Sequence, residues 1–497
     1  MKKKQLRWTL WTIASPFILF IILCILIYLP PIQNFLVDKA AVYASEATGM
    51  NISVGRISLS FPLNLVVTDV DAASPHKDTL LSVRRLQVNV QLLPLLKKQV
   101  EVDGISLQGA TVNSNDLIHG MKLNGTLGEL FISSHGVALD PETAIVNKVL
   151  LKDTDLSLCL NDTAAADTAA SDTAYWKIIL QDIDLQNVSF ALDMPLDSLS
   201  LAASLDNAIL RDGLIDLHKS AYSLQTFRIE NGRVRYDNGK PLAADSLSSG
   251  LDPSHIALTD IGVKLDSLYY GGRNMKAIIS QFVLKERSGV EIVSATGRMV
   301  SNDKVLRVPS LKLETRDSYL ELNAAMDWNA LDFKDEGLVS ARLMADIGKP
   351  DVVRFMGSMD EKFIRQYPSE PLRIRTGIDG DLNKLKLTTL TAELPGALGL
   401  FARGELTHLT DSLLRGGDIT LEAETKDLKF VSTLAEGIEI PYGTRLEGKF
   451  TMAGTKMGTD LLLMQPEAQA VVAADTIPIT VYNDSISVAD DFKMERA

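Results

Sequence analysis

The run Gly443-Thr444-Arg445-Leu446-Glu447-Gly448-Lys449 holds most of a phosphate-binding loop. In such a loop, glycines let backbone N–H groups close around phosphates while the lysine reaches the outer ones. Here Phe450 stands where a magnesium-binding Ser or Thr should be, and a strand pattern follows instead of a helix. No helix N-terminus would receive the phosphate, so the stretch reads as a glycine-bounded turn before a strand. His76, His119, His135, His218, His255 and His408 are isolated, none with a partner at metal-ligand spacing. They read as solvated or loop positions, and no metal site is expected. Asp182-Ile183-Asp184 puts two carboxylates on the polar face of one strand, the usual sign of a solvated edge. There is no Gly-x-Ser-x-Gly elbow, and Cys159 has no local activating context. No catalytic residue, cofactor or enzymatic activity is expected, although a triad scattered along the chain stays open.

The elements that would carry any site begin at the N-terminus. Lys2, Lys3, Lys4 and Arg7 precede Trp8 to Leu29, 22 residues without a charged side chain, ended by Pro30 and Pro31. At about 1.5 Å per residue this run spans a hydrocarbon core of about 30 Å. Cationic flanks stay in the cytoplasm, so everything after Pro31 is expected on the far side of the membrane. A cleaved signal peptide is the rival reading, with Val42 and Ala44 imitating a cleavage site. The apolar run is too long for one, and no small residues follow it directly. An uncleaved anchor is expected.

Formal charge is −13, and −17 once the four basic residues of the tail are set aside. An acidic body argues against nucleic acid and against anionic headgroups. Apolar residues make up 46%, enough for a large buried surface. The two cysteines, Cys24 and Cys159, lie on opposite sides of the anchor's end and cannot pair. Stability must then come from ladders and apolar burial.

Residues 30–49 read as an amphipathic helix, with Ile32, Phe35, Leu36, Ala40 and Tyr43 at three- and four-residue steps and Gly49 as its cap. From Asn51 the period is two. Leu86, Val88, Val90 and Leu92 alternate with Gln87, Asn89 and Gln91; Val188, Phe190 and Leu192 with Ser189 and Ala191. Leu311 and Leu313, Ile419 to Ala423, and Ile486 with Val488 do the same. Such strands have one apolar and one wet face, as in antiparallel sheets. Asn231-Gly232, Asn238-Gly239, Gly271-Gly272 and Gly416-Gly417 read as turns. Asn161 to Ala174 is low-complexity Ala/Asp/Thr and reads as a disordered loop whose shortening would be tolerated. A loose repeat has Gly297, Gly380 and Gly448 opening paired strands, with short helices at Asp351-Val352-Val353-Arg354-Phe355 and Asp427-Leu428-Lys429-Phe430.

The stretch after the first helix resembles the N-terminal part of the AsmA/TamB family of envelope proteins. The matching pieces are Gly55 to Ser60, a Phe-Pro-Leu turn at Phe61 to Leu63, Asp78 to Leu81, Leu-Leu-Pro-Leu-Leu at Leu92 to Leu96, and Ile105 to Ala110. Ile229 to Tyr236 and Leu311 to Leu322 are similar to recurring TamB-type strands. The resemblance implies a mainly β chain. One N-terminal transmembrane helix leads into an elongated, twisted antiparallel β-trough, a repeating β-groove with a few short helices. On this basis residues 1–7 are a cytoplasmic tail, 8–29 the anchor, 50–160 the family's N-terminal β-unit, and 175–497 continuing groove repeats, incomplete at the C-terminus. The family's members are longer and close on a domain that meets an outer-membrane, TamA-like barrel. No such domain is visible before Ala497, which leaves that docking in doubt.

The expected role is an inner-membrane-anchored periplasmic bridge that carries phospholipids toward the outer membrane. The groove candidates are Leu86, Val88, Val90, Leu92, Val188, Phe190, Leu311, Leu313, Leu320 and Leu322. Acyl chains are the partner such a lining suits, because an exposed apolar strip calls for an apolar ligand. The alternatives are a scaffold that pairs with nascent outer-membrane strands by β-augmentation, and a closed sandwich in which the apolar faces bury each other.

Overall fold

The computed structural model describes residues 50–60, 64–74, 79–90, 102–114, 120–138, 142–161, 176–239, 250–334, 337–356, 361–433, 442–464, 471–474, 479–482 and 485–488, with Lys39, Ala41, Val42 and Ser45 ahead of them. Those four residues are helical, as the amphipathic reading expects. The anchor 8–29, the Phe61 to Leu63 turn, Leu92 to Leu96 and the span 162–174 lie outside the described residues. Among the described residues no helix is long and apolar enough to cross a membrane.

The chain is mainly β with few helices. It forms two compact units, one of residues 1–220 with 229–240, the other of 221–228 with 241–497. In the first unit the strands are β1 (Asn51–Ser60), β2 (Asn64–Ala73), β3 (Thr79–Val90), β4 (Val102–Asn113), β5 (Met121–Ala138), β6 (Thr143–Leu160), β7 (Lys177–Met194) and β8 (Leu199–Asp216). They pair in chain order. After the short β9 (Ala221–Leu224), β10 (Thr226–Asp237) returns to pair with β8.

The ladder is not antiparallel throughout. β7 runs parallel to β6, from Thr143 beside Lys177 to Cys159 beside Asp193. Parallel neighbours need a crossover instead of a hairpin. The connection lies outside the described residues, but its ends are fixed. It must return from the end of β6 to the start of β7, 17 residues back along the strand. That is about 56 Å at 3.3 Å per residue, close to the reach of an extended chain of that length.

In the second unit β9 pairs with β11 (His255–Gly271). The ladder then runs in chain order through β12 (Asn274–Glu286), β13 (Glu291–Ser301), β14 (Val305–Thr315), β15 (Tyr319–Asp327), β16 (Leu338–Ile347), β17 (Leu372–Asp381), β18 (Lys384–Leu394), β19 (Leu398–Thr407), β20 (Gly416–Thr425), β21 (Arg445–Ala453) and β22 (Lys456–Met464). β23 (Val471–Ala474) and β24 (Ile479–Tyr482) both pair with β22, and β25 (Ser485–Val488) pairs with β24. All these pairs are antiparallel. Among the described residues three short helices interrupt the ladder: α1 (Trp328–Leu331), α2 (Lys349–Phe355) and α3 (Glu361–Gln366). α2 and a 3-10 turn at Lys429–Thr433 fall on the two expected helical stretches.

Some local readings change. Gly271-Gly272 begins the β11–β12 turn, where Gly272 takes φ 65°, whereas Asn231-Gly232 and Gly416-Gly417 lie inside strands. Gly297 and Gly448 sit mid-strand and Gly380 near a strand end, so they do not open strands. Gly297 leaves room for a neighbour instead: a Cβ there would stand 2.9 Å from Leu311 Cδ1. The densest core of the second unit lies beside the ladder, where Phe363, Tyr367 and Phe430 meet at ring separations of 5.2 to 5.8 Å around fully buried Ala397. Burial there pushes the Tyr367 phenol above its ordinary pKa.

Candidate functional site

Cross-strand register turns local alternation into rows that cross each sheet. In the second unit one row reads Ala295, Leu313, Leu320, Ala345, Ile374, Ala392, Leu400, Ala423 and Leu446 on successive strands from β13 to β21. The next row on the same face reads Gly297, Leu311, Leu322, Leu343, Thr376, Leu390, Ala402, Leu421 and Gly448. The four candidates in this unit therefore fall as two directly opposed pairs, Leu311 with Leu322 and Leu313 with Leu320. All four are half-buried. The opposite face is wetter: Lys312, Glu314, Arg342, Arg373, Glu422 and Glu447 are exposed.

The first unit repeats the arrangement. Ile57, Val67, Leu86, Leu107, Leu130, Leu151, Leu185 and Ala208 form one row across β1 to β8. Leu59, Leu65, Val88, Ile105, Ile132, Val149, Ile183 and Leu210 form the next. Leu86, Val88 and Val90 are half-buried, but so are Gln87 and Asn89, which bond each other at 3.1 Å. Exposure alone does not separate the faces there, and register does. Leu92 lies outside the described residues.

Val188 and Phe190 reach this face by a route that strict alternation does not predict. At one shared level every strand from β1 to β8 skips a pairing position, at Gly55, Asp69, Arg84, Gly109, Gly128, Asp153, Asn187 and Asp206. Asp69, Gly109, Asp153 and Asn187 hold left-handed backbone, φ 49° to 63°. Only Gly, Asn and Asp adopt it readily. The strands between supply small or flexible partners: a Cβ on Gly128 would lie 2.8 Å from Asp153 Cβ, and one on Gly55 3.0 Å from Asp69 Cβ. At this seam the alternation restarts. Gly55 and Arg56, Arg84 and Arg85, and Gln186 and Asn187 are consecutive exposed residues, which an unbroken strand does not produce. Beyond the seam runs the row Val54, Val70, Val83, Ala110, Leu127, Thr154, Val188 and Leu205, three residues from its counterpart on each strand. Val83, Ala110 and Thr154 in it are buried, whereas Phe190, further along β7, is 39% exposed. The signal in the sequence is an Asp, Asn or Gly in mid-strand between apolar residues three apart.

The polar residues singled out for chemistry take structural places. Gly443 and Thr444 form a turn into β21, with the Thr444 carbonyl accepting from Thr425 N–H at 2.9 Å. Asp182 and Asp184 share a face, but β7 is flanked on both sides and is no edge. Both carboxylates pair with Arg211, Asp184 at 2.8 Å. Cys159 is half-buried, its Sγ 3.2 Å from Asn161 Oδ1. His255 is not solvated: it is buried, with Nδ1 2.8 Å from Asp252 Oδ2. That bond, with the Ser254 N–H, holds the Asp252 carboxyl below its ordinary pKa. Among the described residues no group of His, Cys, Asp or Glu could hold a metal ion.

The chain matches no model of a known protein family, and a search of curated proteins finds no match.

Proposed function

We propose that this chain carries phospholipid acyl chains along the apolar faces of its sheets, as a bridge anchored in the inner membrane through residues 8–29 and directed toward the outer membrane. The observation that carries the reading is the set of register-aligned aliphatic rows, whose leucines and valines are mostly half-buried among the described residues. Exposed apolar area on this scale is a binding surface. No aromatic residue stands in the five rows traced above, and although Phe190 lies further along the same face, the largely aliphatic lining suits a chain that slides. The resemblance to the AsmA/TamB family supports the same role.

A photo-crosslinking residue at Leu313 or Val88 in the full chain in membranes tests this. Phospholipid is expected on both and not on Lys312 or Glu422. Equal capture on the two faces, or none on either, would sink the reading.

A second reading, an assembly scaffold that pairs with nascent strands, is favoured by one feature. β1 pairs with no strand but β2 among the described residues, and although Ser45 Oγ accepts from the Ile52 N–H at 3.0 Å, the stretch after Ile52 has no second strand beside it. Its mark would be peptide crosslinks at Arg56 or Ser58 in place of lipid at Leu313.

A further inference from the structure

The opposite, polar face of the second unit holds a cavity of ≈ 280 Å³ over β14 to β17. One register row crosses its floor: Arg307, Ala325, Ser340 and Asp379. The two middle residues are small, so no side chain fills the space between the guanidinium at one end and the carboxylate at the other. Asp379 is fixed in place, its Oδ1 accepting from Ser340 Oγ at 2.6 Å. The Arg307 side chain is exposed and has no ion pair or hydrogen bond among the described residues. Val305 and Leu338 give the cavity an apolar side, and Leu338 is 60% exposed. A second carboxylate, Asp327, stands beside Leu338 and accepts its N–H at 3.3 Å.

Three strand spacings separate the Arg307 and Asp379 backbones, about 14 Å. Side chains rise from a sheet, but a flexible arginine folded down over the small Ala325 reaches roughly half of that distance and an aspartate leaning on Ser340 a further 2 to 3 Å, which brings the charges to about 5 Å. We infer that this cavity binds a small zwitterion, with an oxyanion on Arg307, a primary ammonium on Asp379, and the short carbon link over Ala325. A phosphoethanolamine headgroup and a free amino acid or dipeptide share this chemistry. The site lies on the other face from the aliphatic rows and does not depend on the lipid reading.

Calorimetric titration of the full chain in detergent tests it with O-phosphoethanolamine, inorganic phosphate, ethanolamine and glycylglycine. O-Phosphoethanolamine is expected to bind at least tenfold more tightly than phosphate or ethanolamine. Arg307→Gln and Asp379→Asn should each weaken it about tenfold, and Ala325→Leu should abolish it by filling the floor. Lys312→Gln, outside the cavity, should change nothing. Tighter binding of glycylglycine would mark a free peptide or amino acid as the source, and tighter O-phosphoethanolamine a headgroup. Undiminished binding by Arg307→Gln and Asp379→Asn, or no binding of any zwitterion by the unaltered chain, would overturn the assignment. Arg307→Gln changes an exposed side chain, so it decides the matter even if Ala325→Leu fails to fold.

Discussion

Asn187 Nδ2 donates to Asp153 Oδ1 at 2.9 Å, and both residues hold left-handed backbone at the same level of neighbouring parallel strands. The pair marks where the seam crosses β6 and β7. Its geometry tolerates Asn, Asp and Gly, and excludes side chains branched at Cβ. Asn187→Val is therefore expected to cost about 1 to 3 kcal/mol, despite the high strand propensity of valine. Ser189→Val, two residues along β7, should cost far less. Urea unfolding followed by circular dichroism compares them, and equal effects would mean the seam carries no strain.

The crossover between β6 and β7 sets a length requirement. Deleting Thr163 to Ser171 leaves too few residues to reach from Leu160 to Lys177 in the observed register. The deletion should abolish the cooperative unfolding of the first unit. Replacing the same nine residues by an equal length of Gly and Ser should preserve it. Retention of the full transition by the deletion variant would show that β7 can pair in another way.

Asp351 is 1% exposed and accepts from the hydroxyls of Thr315 and Ser318, the latter at 2.6 Å, and from Arg354 Nη1 at 3.1 Å. It ties the β14–β15 turn to α2. Asp351→Ala strands these donors and should cost about 2 to 3 kcal/mol. Thermal unfolding measures it, and a loss no larger than that of Asp317→Ala would contradict the network.

Asp252 gives a pH test. Its pKa is lowered from the ordinary 3.8 by the His255 bond, then by the Ser254 N–H. A depressed carboxyl stabilises the fold above its unfolded-state pKa, and that contribution disappears as pH falls through the folded value. The stability gap between the unaltered chain and Asp252→Asn should shrink as pH falls below about 4. A gap that grows on acidification would reverse the assignment.

The candidate face is also open to disruption. Leu322→Asp places a carboxylate between Leu311 and Leu343 in one row. Lipid capture at Leu313 should fall several-fold while the ladder survives, because the carboxylate on a half-buried site keeps partial access to water. Undiminished capture with an intact fold would argue that acyl chains do not follow these rows.

Local alternation in the chain determined a good deal. The strands around Leu86, Val188, Leu311 and Ile419 all form, since a period of two has only one way to bury an apolar face. The turn at Gly443 and the helix at Asp351 were legible for equally local reasons: a glycine free to adopt φ 79°, and a Pro-Asp start in the first helical turn. What only the tertiary structure decided is non-local. Alternation says that Leu313 and Leu320 are apolar, not that they face each other, because register depends on where both strands begin. It cannot reveal that β7 lies parallel to β6, because a low-complexity connection looks the same whether it turns or crosses. Nor does it place Val188 with Leu185, because the left-handed residues that restart the pattern act as a line only when eight strands bring them to one level. Asp182 looked solvated for the same reason, since its partner Arg211 lies on the next strand; the partner of His255 is local, Asp252, but its burial belongs to the assembled sheet.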